Sequence, residues 1–156
     1  MIIEKFKDQQ AEEVSKLIHQ DLLEIISKDY PQEYLASLFD HFTPANIRKT
    51  ARTQHTFVAV KGEKVLGTAS LANFGSQENP KYYGTSVFVA LEFQGRGVGK
   101  QLMEKLEVNA RELGATMLTV RAAVGARGFY RKLGYAYQNQ EELPDEKGNY
   151  VMEKSL

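Results

Sequence analysis

Apolar positions recur in two different rhythms along this chain, and the change of rhythm divides it. Ile2 and Ile3 open a short apolar start that runs to Phe6, and Asp8 then stands where a helix cap is expected. Val14, Leu17, Ile18, Leu22, Ile25 and Ile26 follow at helical spacing, so one face of that helix should be core. Tyr30-Pro31 breaks it. Leu35, Leu38, Phe39 and Phe42 mark a second helix, and Thr43-Pro44 joins an N-cap residue to a proline at the first helical position. From Thr56 the rhythm becomes that of strands. Phe57 to Val60 reads as a buried strand, Lys61 to Lys64 as a turn and Val65 to Ala72 as its hairpin partner. After a loop from Asn73 to Lys81, the aromatic and β-branched stretch Tyr82 to Leu91 is another strand. Val98, Leu102, Leu106, Ala110 and Leu113 then form the apolar stripe of a helix that Gly114 stops. Met117 to Ala122 is a strand, Ala126 to Leu133 a short helix, Tyr135 to Gln138 a strand, and Tyr150 to Lys154 a last strand after the Leu143 to Gly148 loop. Helices, then antiparallel strands, then two βα units predict an α/β fold with a mixed, largely antiparallel sheet of about six or seven strands, helices covering both faces. No linker or repeat interrupts it, so residues 1–156 read as one domain.

Composition narrows the function. Twenty Lys and Arg balance twenty Asp and Glu, which gives no excess of positive charge for neutralising phosphates, so a nucleic-acid partner is not expected. The absence of cysteine removes disulfides, thiolate metal sites and a cysteine nucleophile. His19, His41 and His55 have no paired ligand spacing, and no metal is predicted. Charge interrupts the apolar start at Glu4 and Lys5, and no later run is long and apolar enough for a membrane span; a soluble cytoplasmic protein is the expectation.

The most informative segment is Gln94-Gly95-Arg96-Gly97-Val98-Gly99-Lys100, where a strand enters a helix through three glycines in five residues. Glycines allow the backbone to turn tightly and direct unpaired N–H groups at one point, where the helix dipole also favours an anion. Arg96 and Lys100 add positive charge, so a pyrophosphate is a natural ligand. The P-loop does not fit, because Gly95 and Gly99 are too close and Gln101 follows Lys100. The dinucleotide fingerprint fits only in part: Lys100 takes the place of its third glycine, and Met117-Leu118-Thr119 stands where an acidic ribose partner is needed.

Gln94-x-x-Gly97-x-Gly99 at that junction resembles the coenzyme A pyrophosphate loop of the GNAT acetyltransferases. Downstream, Ala126-Arg127-Gly128-Phe129-Tyr130-Arg131-Lys132-Leu133-Gly134-Tyr135 is similar to the family's second signature, and the ending Tyr150 to Leu156 to its last strand. The resemblance spans most of Thr56 to Leu156; before that, only the helical layout matches. It implies a sheet splayed where the cofactor enters, and acetyl-coenzyme A as cosubstrate. The backbone at Val87, Phe88 and Val89 would pair with the pantetheine arm, while Gly95, Arg96, Gly97, Val98, Gly99 and Lys100, with Gln94, would hold the pyrophosphate. It also makes Tyr130 the general acid for the departing thiolate. The reference pKa values of a thiol and a phenol, about 8.5 and 10, are close enough for such a transfer. Two departures stand out. Ala123 replaces an asparagine common in the family, and Leu118-Thr119-Val120 lacks the glutamate that some members use as base.

The base is therefore unassigned, with Glu92, Glu78 or a water held by Tyr82, Tyr83 and Ser86 as candidates. The reading is an acetyl-coenzyme A-dependent N-acetyltransferase acting by direct amine attack on the thioester; its alternative is a non-catalytic acyl-coenzyme A-binding module or sensor. The acceptor is a small-molecule or peptide amine. Asp29, Glu33, Asp40 and Glu78 favour a cationic one, and a homodimer is left open.

Overall fold

Gly62 adopts φ +62° in the turn between β2 (His55–Lys61) and β3 (Lys64–Asn73), a left-handed conformation that glycine reaches without steric cost. The computed structural model describes residues 1–156 and builds a seven-stranded sheet outward from this hairpin. The other strands are β1 (Ile2–Lys5), β4 (Tyr82–Val89), β5 (Met117–Ala122), β6 (Ala136–Tyr137) and β7 (Tyr150–Ser155), in the order β1-β2-β3-β4-β5-β7-β6. All neighbours are antiparallel except β4 and β5, which run parallel. The mixed, largely antiparallel α/β sheet expected from the sequence is the one that forms.

Strand alternation divides the core in two. Val58 and Val60 of β2, with Val65, pack under Val14, Leu17, Ile18 and Leu22 of α1 (Ala11–Glu24), together with Phe42 and Ile47 near α2 (Gln32–His41) and α3 (Pro44–Ala51). Phe57 and Ala59 of the same strand belong to the opposite cluster, with Leu102, Met103, Leu106 and Ala110 of α4 (Val98–Glu112) and Tyr130 of α5 (Arg127–Lys132). β2 is buried on both faces, which is why it reads as an unbroken apolar run. Gly67 lets α4 settle on β3: a Cβ there would stand 2.9 Å from the Phe88 carbonyl oxygen and 3.0 Å from a Leu102 methyl. No helix is long and apolar enough to cross a membrane.

Several local expectations are corrected. Asp8 does not cap α1; it lies in a 3-10 turn, Asp8–Gln10, where the Gln10 side-chain oxygen accepts from the Lys7 N–H at 2.8 Å. α1 ends at Glu24, and Ile26 belongs to a second 3-10 turn, because the chain must bend there toward α2. Thr43 does cap α3, accepting from the Asn46 N–H at 3.2 Å. β4 stops at Val89, with a 3-10 turn at Leu91–Phe93. Leu113, expected in the apolar stripe, follows the last residue of α4 and is 42% exposed. The strand expected over Tyr135 to Gln138 shrinks to Ala136–Tyr137 because Asn139 and Gln140 adopt positive φ and turn the chain away.

One buried polar contact closes the far side of the core. Glu107 of α4, 5% exposed, accepts from the Tyr135 hydroxyl at 2.9 Å and from Lys154 Nζ at 2.8 Å. Glu107→Ala would leave a buried hydroxyl and a half-buried ammonium without their acceptor, and should cost about 3 kcal/mol. A lower urea midpoint at unchanged m-value would verify it.

Candidate functional site

The site begins with an extra residue in β4. Its register against β3 passes from Ser70 opposite Thr85 to Thr68 opposite Phe88, so Ser86 and Val87 together face Ala69, and Ser86 takes φ +53°. Such a bulge bends its strand. Beyond it β4 loses its other neighbour: the parallel pairing with β5 is confined to Tyr83 with Thr119 and Gly84 with Val120, although the strands continue to Val89 and Ala122. The sheet is therefore split between the ends of β4 and β5. The Ala90 N–H donates to the Leu66 carbonyl at 2.8 Å, so strand alternation turns the N–H and C=O of Val89 away from β3, into the split. Gln94 Nε2 donates to the Val89 carbonyl there at 3.2 Å.

The chain leaves β4 through the glycine segment. Gly95 and Gly97 have φ of +73° and +82°, and a Cβ on either would meet nothing within 4 Å, so both border open space. Gly97 caps α4, whose fifteen residues give the first-turn N–H groups a full macrodipole behind them. Arg96 lies over the Phe93 ring at 5.4 Å, Lys100 is exposed, and neither has a carboxylate partner. Val98 is 3% exposed with its side chain in the core, so only its backbone can face a ligand. Gly99 is buried because a Cβ there would stand 3.0 Å from the Phe129 ring. Of the three β4 residues singled out, Val87 and Val89 border the α4 cluster, whereas the Phe88 ring stacks edge-on against Phe42 on the α1 face.

That Phe129–Gly99 contact docks α5 on the first turn of α4. The next residue, Tyr130, is 6% exposed and lies edge-on to Phe129 and Tyr135, with ring centroids 5.0 and 5.7 Å away. Its hydroxyl has no hydrogen-bond partner within the chain, and burial pushes its pKa well above the ordinary phenol value, so it stays protonated at every working pH. Tyr30, after α1, fastens the other wall: its hydroxyl accepts from the Val124 N–H at 3.0 Å and donates to Asn149 Oδ1 at 2.7 Å. It thereby ties the α1–α2 connection to the β5–α5 turn and the loop before β7.

The carboxylates sort themselves by surroundings. Glu92 is exposed and paired with Lys64 at 3.1 Å; its own backbone N–H and that lysine hold its pKa below the ordinary range, which makes it a poor base. Glu78 is exposed in the loop between β3 and β4. Tyr83, beside the split, is stacked with Phe74 at 5.2 Å and covered by Arg121 at 4.9 Å. The histidines lie apart: His19 contacts the Phe39 ring and carbonyl, His41 stacks on Phe42, and His55 opens β2. Asp21 of α1 was not expected here. It is 4% exposed, its Oδ1 has no hydrogen-bond partner, and burial raises its pKa to about 7 against the lowering effect of the Val89 N–H. The sequence carries a signal for it, since Asp21 falls three and four residues after Ile18 and Leu17, inside the apolar stripe.

Known proteins share this fold. The family model "Acetyltransferase (GNAT) family" matches residues 19–135. Elongator complex protein 3 of Drosophila melanogaster is 51% identical over 45 residues, which is 28% of this chain and 8% of that protein, so the chain spans a small part of its length. Among solved structures, a GCN5-related N-acetyltransferase from Rhodopseudomonas palustris superposes with TM-score 0.81 at 24% identity, covering 99% of this chain and 95% of the other. The PaiA N-acetyltransferase of Thermoplasma acidophilum, solved with coenzyme A, superposes with TM-score 0.80 at 15% identity, and the match covers all of both chains (100% each). With a family match over most of its length and a sheet split where the glycine turn begins, this chain belongs to the GNAT family of N-acetyltransferases.

Proposed function

We propose that this chain binds acetyl-coenzyme A along the split between β4 and β5 and transfers the acetyl group to an amine that attacks it directly. The observation that carries this reading is the course of the chain from the outward-facing Val89 N–H through Gly95 and Gly97 to the head of α4. A strand edge without a partner can hydrogen-bond an extended amide chain, and the pantetheine arm is one. Directly beyond that edge, two glycines with open space over them and a fifteen-residue helix offer N–H groups to a pyrophosphate, with the unpaired Arg96 and Lys100 alongside. Val87, Val89 and residues Gln94 to Lys100 are the proposed cofactor contacts, Phe88 serving to fix the strand against α2.

When bound, acetyl-coenzyme A supplies an activated acyl carbonyl. The chain would contribute a backbone N–H of the bulged part of β4 aimed at the charge that develops on the carbonyl oxygen, and a phenol, Tyr130, whose protonated state burial secures, for the departing sulfur. An alkylammonium acceptor must lose a proton first, which costs about 4 to 5 kcal/mol at neutral pH. No nucleophilic side chain is required.

Calorimetric titration of the full chain with acetyl-coenzyme A, followed in the same preparation by thiol release against a panel of amines, tests the proposal. Saturable binding with amine-dependent release is the expected result. Binding without release from any amine would favour a binding module, and no binding would remove the glycine-turn assignment.

A further inference from the structure

Asp21 is a buried carboxyl near the split that the proposed chemistry leaves unused. α1 crosses the sheet obliquely: Glu13 near its start accepts from the Val65 N–H of β3 at 2.7 Å, and two turns later Asp21 has reached Val89, at the end of β4. The Val89 N–H faces the split, as the Ala90 to Leu66 hydrogen bond requires, and Ala90 packs in one cluster with Leu17, Ile18 and Leu22 of α1, which puts Asp21, on the same helix face, beside the gap. Its Oδ1 is sealed from solvent without a partner, and Val89 supplies the one donor acting on the group, falling short of a regular hydrogen bond. The charged group facing it is Glu92 in the turn after β4, which repels it and is itself paired with Lys64. A buried, half-satisfied carboxyl in an apolar stripe is costly, and nothing in the packing of α1 needs it: a leucine would continue the row of Val14, Leu17, Ile18 and Leu22.

We propose that Asp21 is a cofactor-responsive residue: it faces the Val89 N–H in the free protein and, when an amide carbonyl of the pantetheine arm takes that N–H, remains beneath the arm as a neutral acid. The inference rests on the function proposed above. Its direction follows from signs alone. Burial already raises the Asp21 pKa to about 7 while the Val89 donor opposes that rise. Transferring the donor to the arm removes the opposing effect while the carboxyl stays buried, so the change favours the protonated form. The phosphates of the cofactor, anionic themselves, act in the same direction. Binding therefore takes up a proton wherever free Asp21 is ionised, above about pH 7. Affinity should be greatest below that value and fall as pH rises through it.

Acetyl-coenzyme A titrations of the full chain at about pH 6 and about pH 8, each in two buffers of different ionisation enthalpy, measure both the affinity and the protons taken up. For one proton coupled near pH 7, wild-type affinity should fall about tenfold between these conditions, and near pH 8 the wild type should take up close to one proton more than Asp21→Asn. Titration of the cofactor's own phosphate is common to both proteins and cancels in the difference. Asp21→Asn keeps shape and a carbonyl for the Val89 N–H, and should bind with the weaker pH dependence of that background; Asp21→Ala, read the same way, serves should the first variant misfold. Equal slopes and equal proton uptake in wild type and variants would overturn the inference while leaving the acetyltransferase reading intact. Loss of turnover in Asp21→Asn at an unchanged binding slope would also overturn it and make the carboxyl a base. Failure of the wild type to bind at any pH would overturn the proposed function and this inference with it.

Discussion

Tyr130→Phe should lower amine-dependent turnover by about a hundredfold or more, the usual contribution of a positioned general acid, and leave acetyl-coenzyme A affinity within about threefold of wild type. The substitution removes one oxygen that makes no hydrogen bond within the chain, and it leaves a ring of the same shape between Phe129 and Tyr135. Stability should hold, because the ring that packs in the core is unchanged and no hydrogen bond within the chain is lost. That separates the catalytic role from a packing role. If Tyr130 served only the core, turnover would follow folding, and both would survive the change. Since burial holds the Tyr130 pKa far above the ordinary phenol range, the alkaline limb of the wild-type pH profile should not come from this residue, and the variant should keep the shape of the profile at reduced height. Stopped-flow or endpoint thiol release across pH, beside a binding titration, reads all of these. A tenfold loss of affinity with turnover per bound cofactor unchanged would assign Tyr130 to binding.

The residues that announced this site did so because their roles are local. Three glycines in five residues can be read along the chain, since the positive φ values of Gly95 and Gly97 and the close approach of Phe129 to Gly99 are backbone demands that only glycine meets. The long stripes of α1 and α4 were legible for the same reason: their period is a property of one helix. The split was implied by the resemblance alone, since nothing local marks it. The bulge that opens it falls on Ser86, a residue with no special preference for φ +53°, so the register between β3 and β4 imposes it. Asp21 and Glu107 escaped notice for a related reason. Each is a carboxylate at a helical position otherwise fit for an apolar side chain, and its meaning depends on a group far along the chain: Val89 for one, Tyr135 and Lys154 for the other. The failed cap at Asp8 belongs with them, because Asp8 lies inside a 3-10 turn that precedes α1, with Gln10 bonded back to the Lys7 N–H. Glu92 illustrates the converse. Its place next to the glycine turn suggested a base, but the charge that decides its protonation, Lys64, comes from the adjoining hairpin.

Gly97→Val, set beside Gly62→Val, should distinguish a glycine kept for a ligand from one kept for a turn. Both residues have positive φ, +82° and +62°, and a Cβ on either meets no atom within 4 Å, so the chain's own packing does not separate them. A β-branched residue forced into this region should cost about 1 to 2 kcal/mol of stability at both sites, read as similar drops in urea midpoint. Cofactor affinity should divide them. Around Gly62 the open space lies outside a hairpin turn between Lys61 and Lys64, whereas around Gly97 it lies over the head of α4, where the pyrophosphate is proposed to sit. Valine there would block the approach of phosphate oxygens to the first-turn N–H groups. Each lost hydrogen bond to a charged group is worth about 1.5 to 3 kcal/mol, so Gly97→Val should weaken acetyl-coenzyme A binding about a hundredfold, while Gly62→Val stays within about twofold of wild type. The loss should extend equally to free coenzyme A, which shares the pyrophosphate, and should be small for acetylated pantetheine, which lacks it. Equal affinities for acetyl-coenzyme A in the two variants would mean that Gly97 only shapes the turn, and that the anion is held elsewhere along α4.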